Sequence, residues 1–479
     1  MLEYFYTYKK GDRIDHSMKK SGVLLHISSL HGDYGCGNFG KEAYEFADYL
    51  HDAGFTIWQV LPFNVPHKDA SPYSSVSTFA QNPLFIDPEQ LASRGLLTAN
   101  ELEELRLAAK KFEKDYYSLS CDREKYLRLA ASRLSKEEKK SVTEYVNSNK
   151  QISNACKFLS QNGEEDYLYY SFIQYEFACQ WDKLHKYLAE RSIEVIGDIP
   201  IYADLHSSEV AYNPECFLLS EDGEPEFVSG VPGDAFNDEG QKWGHPLYCT
   251  DALKAQNYEL LFDRMKFASS VYDLTRIDHF QAIAMFYCIP KDGHPREGHW
   301  ERGVGEPFVK RLADEIGRDR FIVEDFNCFP GGSHALAEKY GFPDMNTLQF
   351  TLGAGKLPGI YPENTVAYTG THDNDTLVGY LTSLPAKRLR VAAKALGLAT
   401  VATPTEVAKA GIEALLACPA DRTVIQAQDL LLEGSEGRMN VPGISGHGNW
   451  TYRITKEKMQ KLRTLAPSHR ALLKKHGRI

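Results

Sequence analysis

An α/β chain built on a parallel (β/α)8 TIM barrel with helical insertions between its strands is what this sequence predicts, and three observations carry the prediction. Seven short runs rich in Val, Ile and aromatic residues recur along the chain, amphipathic segments of helical spacing separate them, and no GxGxxG turn follows any of them. Near-continuous apolar strands alternating with helices belong to a parallel sheet covered on both faces. The missing glycine-rich turn favours a closed barrel over a doubly wound sheet.

SGVLLHISSL (21–30) supplies the first strand, and KEAYEFADYLHDAG (41–54) follows it as a helix, apolar at helical spacing and closed by a glycine. FTIWQVLP (55–62) is the second strand. Residues 97–190, beginning LLTANELEELRLAAKKFEKDYYSL, are rich in Lys and Glu with several Tyr, and predict a helical insertion subdomain before the third strand, EVIGDIPIYAD (194–204). SVYDLTRID (270–278), RFIVEDF (320–326), a weaker DMNTLQF (344–350) and NTVAYTGTHD (364–373) continue the series. A second helical insertion, 384–421, precedes the last strand, TVIQAQDLL (423–431), so that residues 1–479 read as a single catalytic barrel.

Composition narrows the function classes. With 479 residues, 43% of them hydrophobic, the chain can bury a large core. A formal net charge of −11 offers no field for phosphate backbones, so nucleic acid is not an expected partner. The polar start MLEYFYTYKKGDRIDHSMKK lacks an apolar signal core, and no later stretch approaches the roughly 18 apolar residues of a membrane span. These features predict a cytoplasmic protein without a membrane partner. Nine cysteines stand singly, with no CxxC pair, and read as reduced thiols and not as a zinc site. No EF-hand-like loop is present, and neither a metal nor an organic cofactor is expected.

Active sites of such barrels sit at the C-terminal ends of the strands, and acids recur there. Asp198 interrupts VIGDIPIYAD, Asp278 ends DLTRID, Glu324 and Asp325 end FIVED, and Asp373 ends VAYTGTHD. One acid at a strand end is more often a helix cap or surface residue than a catalyst. Three, flanked by Arg276, His279, His372 and Asn374, point to a site. A carboxylate nucleophile, a second carboxyl alternating as acid and base, and a third acid suit glycosyl transfer through an oxocarbenium-like transition state. Arg276, two residues before Asp278 on one strand face, is placed to keep the nucleophile ionised. Apolar FIV and like charge from Asp278 are expected to raise the pKa of Glu324, so that it holds its proton.

At these residues the chain resembles the 4-α-glucanotransferases (amylomaltases or disproportionating enzymes, glycoside hydrolase family 77), from Ser21 to about Arg453. The motifs are SGVLLHISSLHGDYGCGNFG, SPYSSVSTFAQNPLFID, GDIPIYAD, GVPGDAFNDEGQKWGHPLY, LTRIDHF, VEDF, GFPDMNTLQF, YTGTHDNDT and GSEGRMNVPGISGHGNWTYR. RIDHF or THDND alone marks only the wider α-amylase superfamily; GQKWG and RMNVPG…NW narrow it. The resemblance implies Asp278 as nucleophile, Glu324 as acid/base and Asp373 as the acid that holds the distorted sugar, with Arg276, His279 and His372 binding the same ring. It also implies sugar contacts from Ser71 and Tyr73 in SPYSS and from Gln241 and Trp243 in GQKWG, where a flat indole and a two-way amide suit a pyranose. In HGNWTYR, Asn449 is the expected site residue and Trp450 the expected packing residue. Three positions depart from the family pattern: Ala235 stands where a tyrosine is usual, Gln281 follows RIDHF where an arginine is usual, and LQF runs into TLGAG without the frequent acid.

The reaction this implies is transfer of α-1,4-glucan segments between malto-oligosaccharides, starch- or glycogen-derived, by a retaining double displacement through a glucosyl-Asp ester. The segments 227–240 and 299–308 are expected to be glycine-bearing loops that cover the cleft and exclude water. The same acids serve an α-1,4-glucan hydrolase, and the same barrel serves an inactive glucan-binding protein; both alternatives stay open at this point.

Overall fold

The computed structural model describes residues 19–479 except 113–115, 162, 234–237, 326–327, 400, 445 and 447. Ala235 and the first 18 residues therefore lie outside the described residues. Twelve strands are present among them: β1 (Lys20–Leu24), β2 (Ile57–Gln59), β3 (Glu194–Ile199), β4 (Phe227–Val231), β5 (Gln241–Pro246), β6 (Leu274–Ile277), β7 (Met285–Pro290), β8 (His299–Arg302), β9 (Phe321–Val323), β10 (Asp344–Thr347), β11 (Thr365–Tyr368) and β12 (Arg422–Gln426).

Eight of them form one parallel sheet in the order β10-β11-β12-β1-β2-β3-β6-β9. Every strand expected from the sequence, the weak 344–350 run included, falls in this sheet. Val323 N donates to the Pro343 carbonyl at 2.9 Å, bringing β9 against the start of β10 and bending the sheet round into a barrel. β2, β6, β9, β11 and β12 are buried at every position, as a sheet covered on both faces requires. The helix Lys41–Ala53 stops at Gly54, whose φ of 84° gives the left-handed closing turn that glycine adopts without strain. Among the described residues six α-helices lie between β2 and β3, from Pro88–Ser93 to Glu164–Ala189, and three between β11 and β12, ending with Pro404–Ala417. Among the described residues no helix is long and apolar enough to cross a membrane.

The remaining four strands form a separate antiparallel sheet, β5-β4-β7-β8. This corrects the expectation of covering loops at 227–240 and 299–308: FVSGV is β4 and HWER is β8. Their central partner is the apolar run MFYCIP, which is β7. The backbones of 227–231 and 299–302 pair across ladders, and of the described residues in the two segments Val231 and Gly233 line the cleft.

One glycine sets the distance between β3 and the chain entering β6. A Cβ at Gly197 would fall 2.0 Å from the Tyr272 ring. That ring is buried and its hydroxyl accepts from Phe63 N at 3.2 Å, so it has nowhere to retreat. Gly197→Ala is expected to destabilise the fold by about 1–3 kcal/mol, read as a lower urea midpoint at unchanged m.

Candidate active site

Asp278 and Glu324 are the first residues past adjacent strands, and the ladder still holds them: Asp278 N donates to Ile199 O at 3.0 Å and Glu324 N to Ile277 O at 3.0 Å. Two residues earlier on β6, Arg276 points the same way as Asp278, as alternation dictates. Only 1% exposed, its guanidinium meets three carboxylates: Asp198 at 2.6 Å, Asp278 at 2.9 Å and Glu324 at 2.7 Å. The last two share a single nitrogen, Nη2. His279 takes up a left-handed backbone conformation, φ 47°, and its N–H donates to Glu324 Oε2 at 2.8 Å. Strain of that kind is retained where the surroundings fix it.

Asp373 sits on the loop after β11, its Oδ1 accepting from Asn440 Nδ2 at 2.6 Å and lying 3.4 Å from His372 Nε2. Arg438 donates to its carbonyl, and Asn440 N to that of His372, so the 438–440 segment braces this loop from the side. Tyr73 stacks on His372 with centroids 5.0 Å apart and planes 11° apart, and its hydroxyl donates to Asp198 at 2.7 Å. Across the cleft, Trp243 meets the His279 ring edge to face at 4.8 Å and donates to Gln241 at 3.1 Å.

Together these groups line a cleft of about 910 Å³, walled by Ser71, Tyr73, Trp243, Asp278, Glu324 and Asp373 among others. That is the size of a site for a several-ring ligand. Gln241, His279 and His372 face it too; Arg276 lies beneath it and meets the cleft only through the acids it grips.

Two sequence expectations change. Asn449 does not line the cleft: its carboxamide accepts from Val441 N and donates to the Val441 and Ile444 carbonyls, tying its own loop together. Its neighbour Trp450, expected to pack, lines the cleft instead, 5.9 Å from both Tyr73 and His372. The second change is the ionisation of Glu324. Burial pushes its carboxyl up, but Arg276, the His279 N–H and a hydrogen bond with Asp278 outweigh that and hold it at about 2. Asp278 goes the other way: burial raises it, Arg276 opposes, and like charge from Glu324 and Asp198 carries it well above the usual carboxylate range. Burial and like charge thus favour a proton on Asp278, while Arg276 and the His279 N–H favour ionisation of Glu324, opposite to the order expected from FIV alone. Burial also lowers His279 to about 4, so its ring is neutral at pH 7.

Sequence reasoning passed over Asn440, although it lies in the quoted RMNVPG motif, and left Asp198 without a role. An acid inside an otherwise apolar strand was the signal for the latter. Gln281, the residue standing for the family arginine, is buried; it donates to Pro330 O at 2.5 Å and accepts from Ser333 at 2.6 Å, fixing the loop after Glu324.

A further buried acid supports the Asp373 loop from behind. Asp429, fully buried, accepts from Leu377 N at 2.6 Å at the start of the helix Leu377–Ser383. Burial pushes its carboxyl up to about 7. A folded-state value above the unfolded one means that its contribution to stability is complete below about pH 3.8 and is lost as pH rises to about 7, by up to about 4 kcal/mol. Asp429→Asn is expected to flatten that part of the stability–pH curve, measured by urea unfolding between those limits.

A (β/α)8 barrel with paired carboxyls at adjacent strand ends, a third acid close by and aromatic walls is the architecture of a carbohydrate-active enzyme. The family profile described as 4-alpha-glucanotransferase matches residues 25–162 and 149–459. The chain belongs to that family, glycoside hydrolase family 77, and is an enzyme of the 4-alpha-glucanotransferase class. It is 33% identical over 465 residues to the 4-alpha-glucanotransferase of Clostridium butyricum, covering 90% of this chain and 95% of that one. It is 32% identical over 512 residues to the chloroplastic/amyloplastic 4-alpha-glucanotransferase of Solanum tuberosum, covering 98% and 88%. Its fold matches the amylomaltase from Streptococcus agalactiae in complex with acarbose with a TM-score of 0.86, at 28% identity over 96% and 98% of the two chains.

Proposed function

We propose that this enzyme moves α-1,4-glucan segments between malto-oligosaccharides by double displacement, with Asp278 as nucleophile, Glu324 as acid/base and Asp373 holding the hydroxyls of the reacting ring. The single observation that supports it best is the shared guanidinium nitrogen. Carboxylate oxygens of Asp278 and Glu324 lie 2.9 and 2.7 Å from Arg276 Nη2, so their separation is bounded by the sum of the two. Retaining enzymes hold their carboxyls about 5–5.5 Å apart and inverting ones about 6.5–9.5 Å, and only the shorter spacing fits.

In the first step Asp278 attacks the anomeric carbon, the glycosidic C–O bond breaks, and Glu324 gives its proton to the leaving oxygen. In the second, Glu324 takes the proton of an acceptor 4-hydroxyl as that oxygen displaces Asp278. The pair's proton must therefore pass from Asp278 to Glu324 when glucan enters. A glycosidic oxygen seated beside Glu324, with positive charge developing against Asp278, favours that transfer. Ser71, Tyr73, Gln241, Trp243, His279 and His372 contact the glucan, and Arg276 acts from beneath by holding both carboxyls.

The same reading takes residues 97–190 and 384–421 as helical insertions on one catalytic barrel. It places the protein in the cytoplasm, acting on maltodextrins without a nucleic-acid, membrane, metal or cofactor partner; the net charge of −11 supports the first of these exclusions. Hydrolysis is the competing outcome, since water can take the ester in place of a sugar. Purified protein given maltotriose alone is expected to yield shorter and longer oligomers, glucose included, at a constant number of reducing ends. Reducing ends that rise with time would make it a hydrolase.

A further inference from the structure

Beside the reacting centre lies a second charged cluster to which nothing above gives a task. Between residues 66 and 75 the chain leaves β2 and returns on itself: Pro66 bridges Ser75, and His67 N donates to Ser74 O at 3.2 Å. The tip of this hairpin carries Ser71 and Tyr73, and Ala70 turns it with a φ of 63°. Its base meets one carboxylate from another part of the barrel, Asp204 on the segment after β3. Asp204 Oδ2 accepts from Ser74 Oγ at 2.8 Å, and Oδ1 lies 3.3 Å from His67 Nε2 and accepts from His206 N at 2.9 Å. On its far side His245 of β5 stands 3.7 Å from Oδ2. One side chain thus joins the hairpin, the β3 loop and the antiparallel sheet.

We propose that Asp204 is the positioning residue of the sugar-contacting hairpin: through Ser74 and a protonated His67 it holds Ser71 and Tyr73 against the cleft, and the hold weakens when His67 loses its proton. The inference rests on the reading of Ser71 and Tyr73 as glucan contacts. The charged neighbours agree with it. His67 faces Asp204 and Asp69, both acids, and its pKa is raised, first by Asp204. Burial opposes ionisation of Asp204, but His67, the His206 N–H and Ser74 together hold it well below the usual carboxylate range. His245 is lowered by burial, with Asp204 opposing and Arg264 and His67 adding to the drop, so of the two histidines beside Asp204 it is His67 whose charged form the site favours. The sign follows: the grip is complete at acidic pH and is lost as pH rises through the raised His67 value.

Maltotriose kinetics from about pH 5.5 to 8.5 on the intact enzyme, with Asp204→Asn, His67→Gln and Ser74→Ala, test this. At the acid end Asp204→Asn is expected to raise KM about tenfold with kcat changed less than about twofold, as loss of a charge-assisted hydrogen bond acting on binding alone. The wild-type KM should climb with pH, and in His67→Gln it should be high and flat. If Asp204→Asn does not accumulate folded, the other two variants carry the same expectation. KM values within about twofold of wild type, or a loss confined to kcat, would overturn the proposal. Calorimetric titration of maltotriose into Asp278→Asn, with and without Asp204→Asn, separates this from the reaction itself. About tenfold weaker binding in the double variant supports the hold, and equal binding overturns it whatever the chemistry. No turnover in wild type together with no maltotriose binding to Asp278→Asn overturns both readings.

Discussion

Asp278→Asn is expected to lower turnover of maltotriose by at least about 10⁴-fold while leaving the protein folded, because an amide can neither attack the anomeric carbon nor carry the ester. The structure explains why the fold should tolerate the change. Asp278 is one of three acids on Arg276, and its removal leaves Asp198 at 2.6 Å and Glu324 at 2.7 Å to balance the guanidinium. The substitution also removes the like charge that now helps keep a proton on the pair, so Glu324 in the variant should ionise without competition. Full-length protein with native melting behaviour and no maltotriose products is the predicted result. Turnover within about 100-fold of wild type would take the nucleophile's role from Asp278.

Arg276→Leu should have the largest effect on stability, about 3–5 kcal/mol in urea unfolding, and should abolish activity with it. The leucine fills part of the volume, but Asp198, which is 3% exposed, would then be buried without a countercharge and the half-buried Asp278–Glu324 pair would lose its own. They would respond by taking up protons, and the variant's stability should fall further as pH rises through the new, higher carboxyl values. Arg276→Lys is expected to recover only a part, since one ammonium cannot span Asp198 on one side and the catalytic pair on the other as the planar fork does. A loss under about 1 kcal/mol for the leucine variant would mean that the three acids do not depend on this guanidinium.

The barrel was legible because most of its strands are short, apolar runs buried on both faces, a pattern that needs no partner to recognise; only β10, DMNT, is polar and half-buried. The antiparallel sheet was not. β5 (QKWGHP) and β8 (HWER) are polar and, apart from the two ends of β5, exposed or half-buried, and glycines in the adjoining segments read as loop. Their strand character comes from pairing with β4 and β7, which sequence spacing does not display. At the site, residue types and strand-end positions brought forward Asp278, Glu324 and Asp373, and the fold sets all three on the wall of one cleft. The direction of the Glu324 shift could not be read, because it depends on the His279 N–H and on Arg276 Nη2 lying between two acids. Local sequence gave only the apolar FIV. The exchange of roles between Asn449 and Trp450 has a similar origin. Which of two neighbours faces a cleft depends on the loop's backbone, and Trp450 sits in a left-handed conformation, φ 65°, that no propensity favours.

The proposed mechanism turns on a covalent ester at Asp278, and an attempt to trap it is the most direct test. In Glu324→Gln a donor with a good leaving group, α-maltosyl fluoride, needs no acid for the first step, whereas the second step lacks its base. Rapid quenching followed by peptide mass spectrometry should find one maltosyl unit on the peptide that contains Asp278, cleared when azide is supplied as an acceptor that needs no base. A maltosyl unit on another residue, or turnover of the fluoride by inversion at the anomeric carbon with no adduct, would contradict the mechanism.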